Sequence, residues 1–254
     1  MIYEVHRKPN NNVGDVFSNP SRYFNLGDVS SEELLGNISP ITNNILVIGG
    51  GGLIHKRFSK DIQKLISKNP MHTVLWGIGH NFGARHAEKQ GKDVYYPNWI
   101  KQCSLIGIRD WIKGHHDTYL PCVSCMHPAF NIDYKIRHDV VYFTHAYKTR
   151  FENPNAYPHM SNNHMNIDNV IAFLGSANTV VTDSYHGAYW AQLLGKNVQV
   201  ASWSVKFNHF KYPVHIIDNI NQPFKLVNNK TTEALEDAKH LNIQFYKKYV
   251  DKCL

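Results

Sequence analysis

The sequence predicts an α/β protein made of two Rossmann-like halves with mostly parallel sheets. Three observations predict this. Short apolar runs of strand length alternate with stretches of helical spacing, the pattern of a parallel sheet covered by helices. Most of those runs end in glycine or polar turns. The runs also fall into two series, separated by Pro128 and the irregular, charged segment NIDYKIRHD at residues 131–139.

In the first series, residues 2–5 read as a strand and are followed by the turn Asn12-Val13-Gly14-Asp15. Residues 45–48 form a buried-strand run that ends in Gly49-Gly50-Gly51-Gly52. Residues 58–68 then carry Phe58, Ile62, Leu65 and Ile66 at helical spacing. Residues 73–78 form a strand ending in Gly79-His80-Asn81, and residues 105–108 one ending in Arg109-Asp110. The boundary falls at the charged segment, giving an N-terminal domain of residues 1–134 and a C-terminal domain of residues 135–254.

The second series has strands at 140–144, 179–182, 197–201 and 215–217, with a helical run at 188–194. Residues 152–166, rich in Asn, Pro and His, read either as a solvated surface loop or, because they follow a strand, as a lining of the cleft. Residues 231–250 read as an amphipathic terminal helix with Thr231 or Thr232 near its N-cap and Glu233 in its first turn.

Composition narrows the function classes. Hydrophobic residues make up 43% of the chain, an ordinary share for a globular protein, and no apolar run approaches the roughly 20 residues that span a bilayer. The N-terminus shows no apolar signal core, so a cytoplasmic location is expected, and only four cysteines fit reduced thiols there. A formal charge of +7 with sixteen histidines favours anionic partners such as phosphorylated substrates or anionic lipid headgroups. Lys and Arg are scattered rather than clustered, which argues against nucleic acid. Fourteen tyrosines and many asparagines suit carbohydrate contact. The sequence carries no argument for or against an oligomer.

The stretch from Thr182 to Gly187 is the most informative. It places a hydroxyl, a phenol and an imidazole in the turn between a strand and a helix, at the strand edge where open α/β sheets bind ligands. A histidine there titrates near neutrality. Its bland alternative is a structural histidine bonded to backbone. Asp15 either caps a helix or accepts a substrate hydroxyl. The glycine run presents backbone N–H groups that attract phosphate or carboxylate, or it is a tight structural turn; it fits neither the dinucleotide fingerprint nor the P-loop. Arg109 either grips an anion bidentately or pairs with Asp110. Cys122-x-x-Cys125-x-His127, with Cys103, resembles half of a zinc site, but nothing in the sequence completes it, and no metal is expected.

These pieces, in this order, resemble the polysaccharide pyruvyl transferase family. Asn12-Val13-Gly14-Asp15, the turn Gly49 to Leu53, Gly77-Ile78-Gly79, Arg109-Asp110, Pro128-Ala129-Phe130 and Thr182 to Gly187 match its six motifs, and Gly195-Lys196-Asn197-Val198 follows. The resemblance spans roughly residues 10 to 200. Two positions depart from it: Ser184 stands where many members have Arg, and His127 where many have Asp.

The resemblance implies a GT-B-like fold, two Rossmann-like domains facing across a cleft, with the terminal helix packing back on the first domain. It implies transfer of a pyruvyl group from phosphoenolpyruvate to two hydroxyls of a sugar, as a cyclic ketal, with no further cofactor. On that reading His186 is the general acid and Arg109 the anion clamp. Gly50, Gly51, Gly52, His80, Ser184, Tyr185 and Gly187 hold the donor, and Asn12 and Asp15 hold the acceptor. The basic charge also suits a lipid-linked acceptor met by peripheral contact at the inner membrane leaflet. Two other readings stay open at this point. One is a GT-B glycosyltransferase using a nucleotide sugar. The other is a non-catalytic carbohydrate- or anion-binding protein, for which the serine at 184 speaks.

Overall fold

The central strands are short, apolar and buried on both faces, as parallel sheets require. The computed structural model describes residues 1–8, 12–36, 41–81, 96–147, 157–217 and 227–254. Its first half contains β1 (Ile2–His6), α1 (Val13–Val16), β2 (Val29–Glu33), β3 (Ile45–Gly49), α2 (Lys56–Ile66), β4 (His72–Ile78) and β5 (Leu105–Ile108). Its second half contains β6 (His138–Thr144), β7 (His159–Ser161), α3 (Ile167–Gly175), β8 (Ala177–Thr182), α4 (Tyr185–Leu193), β9 (Asn197–Val200), β10 (His215–Ile216) and α5 (Ala234–Cys253).

These strands form two five-stranded sheets, β2-β1-β3-β4-β5 and β10-β9-β8-β6-β7, and every pairing within them is parallel. The protein is thus α/β, with two Rossmann-like parallel sheets. Renumbered from its own first strand, each sheet has the same order, 2-1-3-4-5. In such a sheet the chain first winds outward on one side and then reverses. The reversal leaves a crevice at the carboxyl ends of the two strands flanking it. Here those pairs are β1 with β3, and β6 with β8.

Two strands were not expected. β2, with the sequence VSSEE, is half-buried along its whole length and lacks an apolar alternation. It exists because it pairs with β1 over five residues. β7 lies in the irregular stretch read as loop or cleft lining; residues 152–156 of that stretch lie outside the described residues. β7 pairs with β6 at the sheet edge, and the chain after it turns toward the first domain.

The terminal helix α5 packs on the first sheet. Its Phe245, Tyr249 and Cys253 share a buried cluster with Ile2, Ile45, Val47, Val74 and Trp76. Buried Asn242 fastens it there: Oδ1 accepts from Trp76 Nε1 at 3.0 Å, and Nδ2 donates to Pro121 O at 3.2 Å. The helix begins three residues later than the threonines suggest. Glu233 is its boundary residue without a side-chain cap, and Thr232 Oγ1 instead bonds the Glu233 carboxylate at 3.1 Å. None of the helices among the described residues is long and apolar enough to cross a membrane.

Candidate functional site

The two crevices face each other and share one cavity of about 110 Å³. Every residue lining it lies in a segment that follows the carboxyl end of a strand. Asn12 and Asp15 follow β1, Gly52 follows β3, Asn81 follows β4 and Arg109 follows β5. From the second domain, His145 follows β6, Asn162 follows β7, Ser184, Tyr185 and His186 follow β8, and Trp203 and Lys206 follow β9. A wider cleft of about 430 Å³ adjoins it; it shares Asn12, Asp15, Asn81 and Asn162 and adds Arg7, Arg57, Phe58 and exposed Tyr147.

The first motif and the last one meet. Asn12 caps the short helix α1 by accepting from Gly14 N at 3.1 Å, and its Nδ2 donates to Asp15 Oδ2 at 2.9 Å. Val13 N donates to Asn162 O at 3.0 Å, and Asn162 Nδ2 reaches Asn12 Oδ1 at 3.3 Å. These bonds tie the first domain's turn to the second domain. Gly14 then lies flat against the His186 ring: a Cβ on Gly14 would stand 2.0 Å from Nδ1. The glycine of the Asn-x-Gly-Asp motif is needed because the imidazole occupies the space a side chain would fill.

Gly79 plays the same part for Arg109. A Cβ there would stand 2.6 Å from Arg109 Nε and 2.8 Å from Asp110 Oδ2. Arg109 is 3% exposed. Its guanidinium lies over the Tyr185 ring, Cζ 3.8 Å from the centroid. Nε and Nη1 are buried, and among the described residues they find no acceptor. Asp110, the neighbour that would pair with it in a purely structural role, is turned away: Oδ2 accepts from His80 N at 2.7 Å and bonds His80 Nδ1 at 2.9 Å. Burial pushes the Asp110 carboxyl up, but the His80 bonds and the nearby Arg109 charge prevail and hold it below its ordinary range.

His80, expected at the donor site, therefore does not line the cavity; it is spent fixing Asp110. Gly50 is not free for the donor either: its N donates to Trp76 O at 2.9 Å. Gly51 O accepts from Gly79 N at 3.0 Å, so this turn extends the sheet; Gly51 lies beside Asp15, and Gly52 lines the cavity. The run is not a helix N-terminus either, since α2 starts at Lys56 behind a His55 cap. The amide of Gly187 is directed to Ser184 Oγ at 3.4 Å, which makes Ser184 the N-cap of α4. Gly187 itself is required by packing, because a Cβ would stand 2.5 Å from both Phe143 and Thr182 Oγ1.

The serine where related motifs carry arginine thus has a local role, and so does His127, whose Nδ1 accepts from Ala129 N at 3.3 Å. The Cys-x-x-Cys segment holds no zinc-like cluster: Cys122 Sγ faces His186 Nε2 at 3.5 Å, Cys125 Sγ accepts from Asn242, and Cys103 bonds Trp99 O. Among the described residues no three His, Cys, Asp or Glu side chains gather as metal ligands.

The sequence reading passed over Lys206, Asn81, His145, Asn162 and Trp203. Lys206 is 7% exposed; Nζ donates to Asn81 Oδ1 at 3.2 Å and lies 4.0 Å from the Trp203 ring centroid. The signal that finds these residues is position alone, each one lying in a segment that follows a strand.

The electrostatics are lopsided. Two buried cations, Arg109 and Lys206, sit in one small cavity. Burial, followed by the Arg109 and Lys206 charges, holds His186 well below the ordinary histidine range, so the ring is neutral at pH 7. Asp15 is the cavity's carboxyl group, and burial raises it against the pull of Arg109, Lys206 and Arg7. The arrangement attracts an anion and sets a titratable imidazole beside it.

No family model matches the chain, and no curated protein matches it. Among solved structures, an uncharacterised protein from Klebsiella pneumoniae subsp. pneumoniae NTUH-K2044 is similar, with a TM-score of 0.46 and 16% identity over 80% of this chain and 83% of that one.

Proposed function

We propose that the protein is a GT-B-like ketal pyruvyltransferase, moving a pyruvyl group from phosphoenolpyruvate to two hydroxyls of a sugar in a polysaccharide or glycan precursor. The observation that carries this reading is the buried Arg109 guanidinium, two of whose nitrogens are unsatisfied among the described residues. Unpaired buried donors are costly, and an oxyanion of the donor satisfies them. Lys206 supplies a second cation for a donor that bears both phosphate and carboxylate. The small polar cavity suits that donor, and the adjoining cleft, with Arg7, Tyr147 and several asparagines, suits a sugar.

Protonation of the donor's methylene carbon by His186 leaves an oxocarbenium-like centre at the adjacent carbon. A sugar hydroxyl adds there, the carbon–oxygen bond to phosphate breaks, and the second hydroxyl closes the ring. One hydroxyl hydrogen ends on the new methyl group and the other leaves with phosphate. In the free protein His186 is neutral because Arg109 and Lys206 add to the effect of its burial. The donor's negative charge offsets both cations and lets the imidazolium form. Asp15, whose carboxylate burial makes a stronger base, orients an acceptor hydroxyl and takes its proton.

The test is phosphate release from phosphoenolpyruvate with a panel of glycan acceptors, alongside thermal shifts with phosphoenolpyruvate and with nucleotide sugars. Donor-dependent release that disappears in His186→Gln is expected. A thermal shift with a nucleotide sugar and none with phosphoenolpyruvate overturns the reading in favour of glycosyl transfer. An active His186→Gln protein removes the acid assignment.

A further inference from the structure

Behind His186 runs a chain of hydrogen bonds in which each donor settles the direction of the next. Trp190 Nε1 lies 2.9 Å from Ser124 Oγ. An indole N–H can only donate, so the Ser124 oxygen accepts, and its own hydrogen is free for Cys122 Sγ at 3.3 Å. The sulfur thereby receives a hydrogen bond, and its single S–H is left to point at His186 Nε2, 3.5 Å away. All four side chains are buried: Trp190 and Ser124 are 0% exposed, Cys122 1% and His186 5%.

We infer that Cys122 is a positioning residue that fixes the neutral His186 ring as the Nδ1–H tautomer. The nitrogen a histidine protonates is set by the bond its other nitrogen makes, and with the thiol hydrogen turned to it Nε2 accepts. The hydrogen therefore sits on Nδ1. That atom lies against Gly14, in the turn whose Asn12 and Asp15 line the cavity with His186, and among the described residues no hydrogen bond reaches it.

The consequence is directional. In the resting ring the cavity-side nitrogen already carries a hydrogen and has no lone pair in the ring plane. His186 meets an incoming oxyanion as a donor and cannot begin by taking a proton from it. This polarity suits a general acid and excludes a resting general base at the cavity side. That last step rests on the proposed pyruvyl transfer; the tautomer itself stands on the geometry alone.

The test is a two-bond proton–nitrogen correlation spectrum of the protein labelled with nitrogen-15 histidine, recorded above pH 7.5. The His186 signals are those missing from His186→Gln. The wild-type protein is expected to show a protonated Nδ1 and an unprotonated Nε2 for His186. Cys122→Ala, checked as folded by its melting curve, is expected to lose that fixed pattern and show averaged or Nε2–H signals.

A wild-type spectrum with Nε2 protonated overturns the inference without any variant in the thiol. So does a folded Cys122→Ala protein that keeps Nδ1–H. Neither spectrum depends on turnover, so the inference can stand if pyruvyl transfer fails. Where transfer is observed, Cys122→Ala should shift the pH profile of kcat and leave the KM for phosphoenolpyruvate unchanged.

Discussion

Replacing Arg109 with methionine should make the ligand-free protein more stable while abolishing its response to phosphoenolpyruvate. The structure supplies the terms. Among the described residues two buried guanidinium nitrogens have no acceptor, and each such donor costs about 1–3 kcal/mol. Against this, the desolvated contact of Cζ with the Tyr185 ring at 3.8 Å is worth about 2 kcal/mol. Methionine fills much of the same apolar volume and leaves no polar atom unpaired, so the net gain is about 2 kcal/mol. For a chain of this size a change of 1 kcal/mol moves Tm by about 2–4 °C, and the variant should melt about 4–8 °C higher.

Phosphoenolpyruvate at one hundred times its Kd adds about 2.7 kcal/mol to a protein that binds it, and nothing to the variant. The order of the two melting curves should therefore narrow or invert when donor is added. Differential scanning fluorimetry with donor, with inorganic phosphate and without ligand reads all three states. A ligand-free Arg109→Met protein that melts below the wild type would refute the reasoning, because it would mean that the guanidinium is a structural group whose partners are satisfied.

Two further outcomes follow from the same geometry. Gly14→Ala drives a methyl group into the His186 ring, 2.0 Å from Nδ1, so it should cost about 1–3 kcal/mol from overpacking and remove activity by displacing the imidazole. Urea midpoints together with turnover check this, and a fully active variant rules out the close approach. Acid should also weaken the fold. His186, His6 and His209 are all held below the ordinary value of 6.5, with burial as the leading cause. As pH falls below 6.5 the unfolded chain takes up protons that the native state refuses, so stability drops. His186 alone contributes a slope of up to about 1.4 kcal/mol per pH unit. Asp15, raised in the native state, works in the opposite direction at lower pH. Urea titrations at pH 7.5 and 5.5 should show a smaller decline in His186→Gln than in the wild type, and equal declines would contradict the depressed histidine.

The strands were legible because burial on both faces leaves an apolar run that needs no partner to be recognised. The predicted and observed bounds of β3, β4, β5, β6 and β8 differ by at most two residues. β2 escaped because VSSEE carries no apolar signal and exists only through its pairing with β1. Among site residues, Arg109, Ser184, Tyr185, His186, Asn12, Asp15 and Gly52 all line the cavity, since a strand end is readable from sequence and strand ends are where the cavity lies. His80, Gly50 and Gly187 share that position in sequence but have their polar groups engaged locally. Which of two neighbouring polar groups faces inward depends on a turn's dihedral angles, and no spacing rule reveals that.

By itself, the sequence determined two runs of parallel strands and the residues that end them, because side-chain hydrophobicity and glycine act over a few positions along the chain. Only the tertiary structure decided that the turn at residues 12–15 would press its glycine against an imidazole more than 170 positions away, that Lys206 would join Arg109 in one cavity, and that a thiol would stand behind His186. Those contacts come from bringing the carboxyl ends of two separately wound sheets together, and their electrostatic consequences arise at distances of a few ångströms that chain order does not encode.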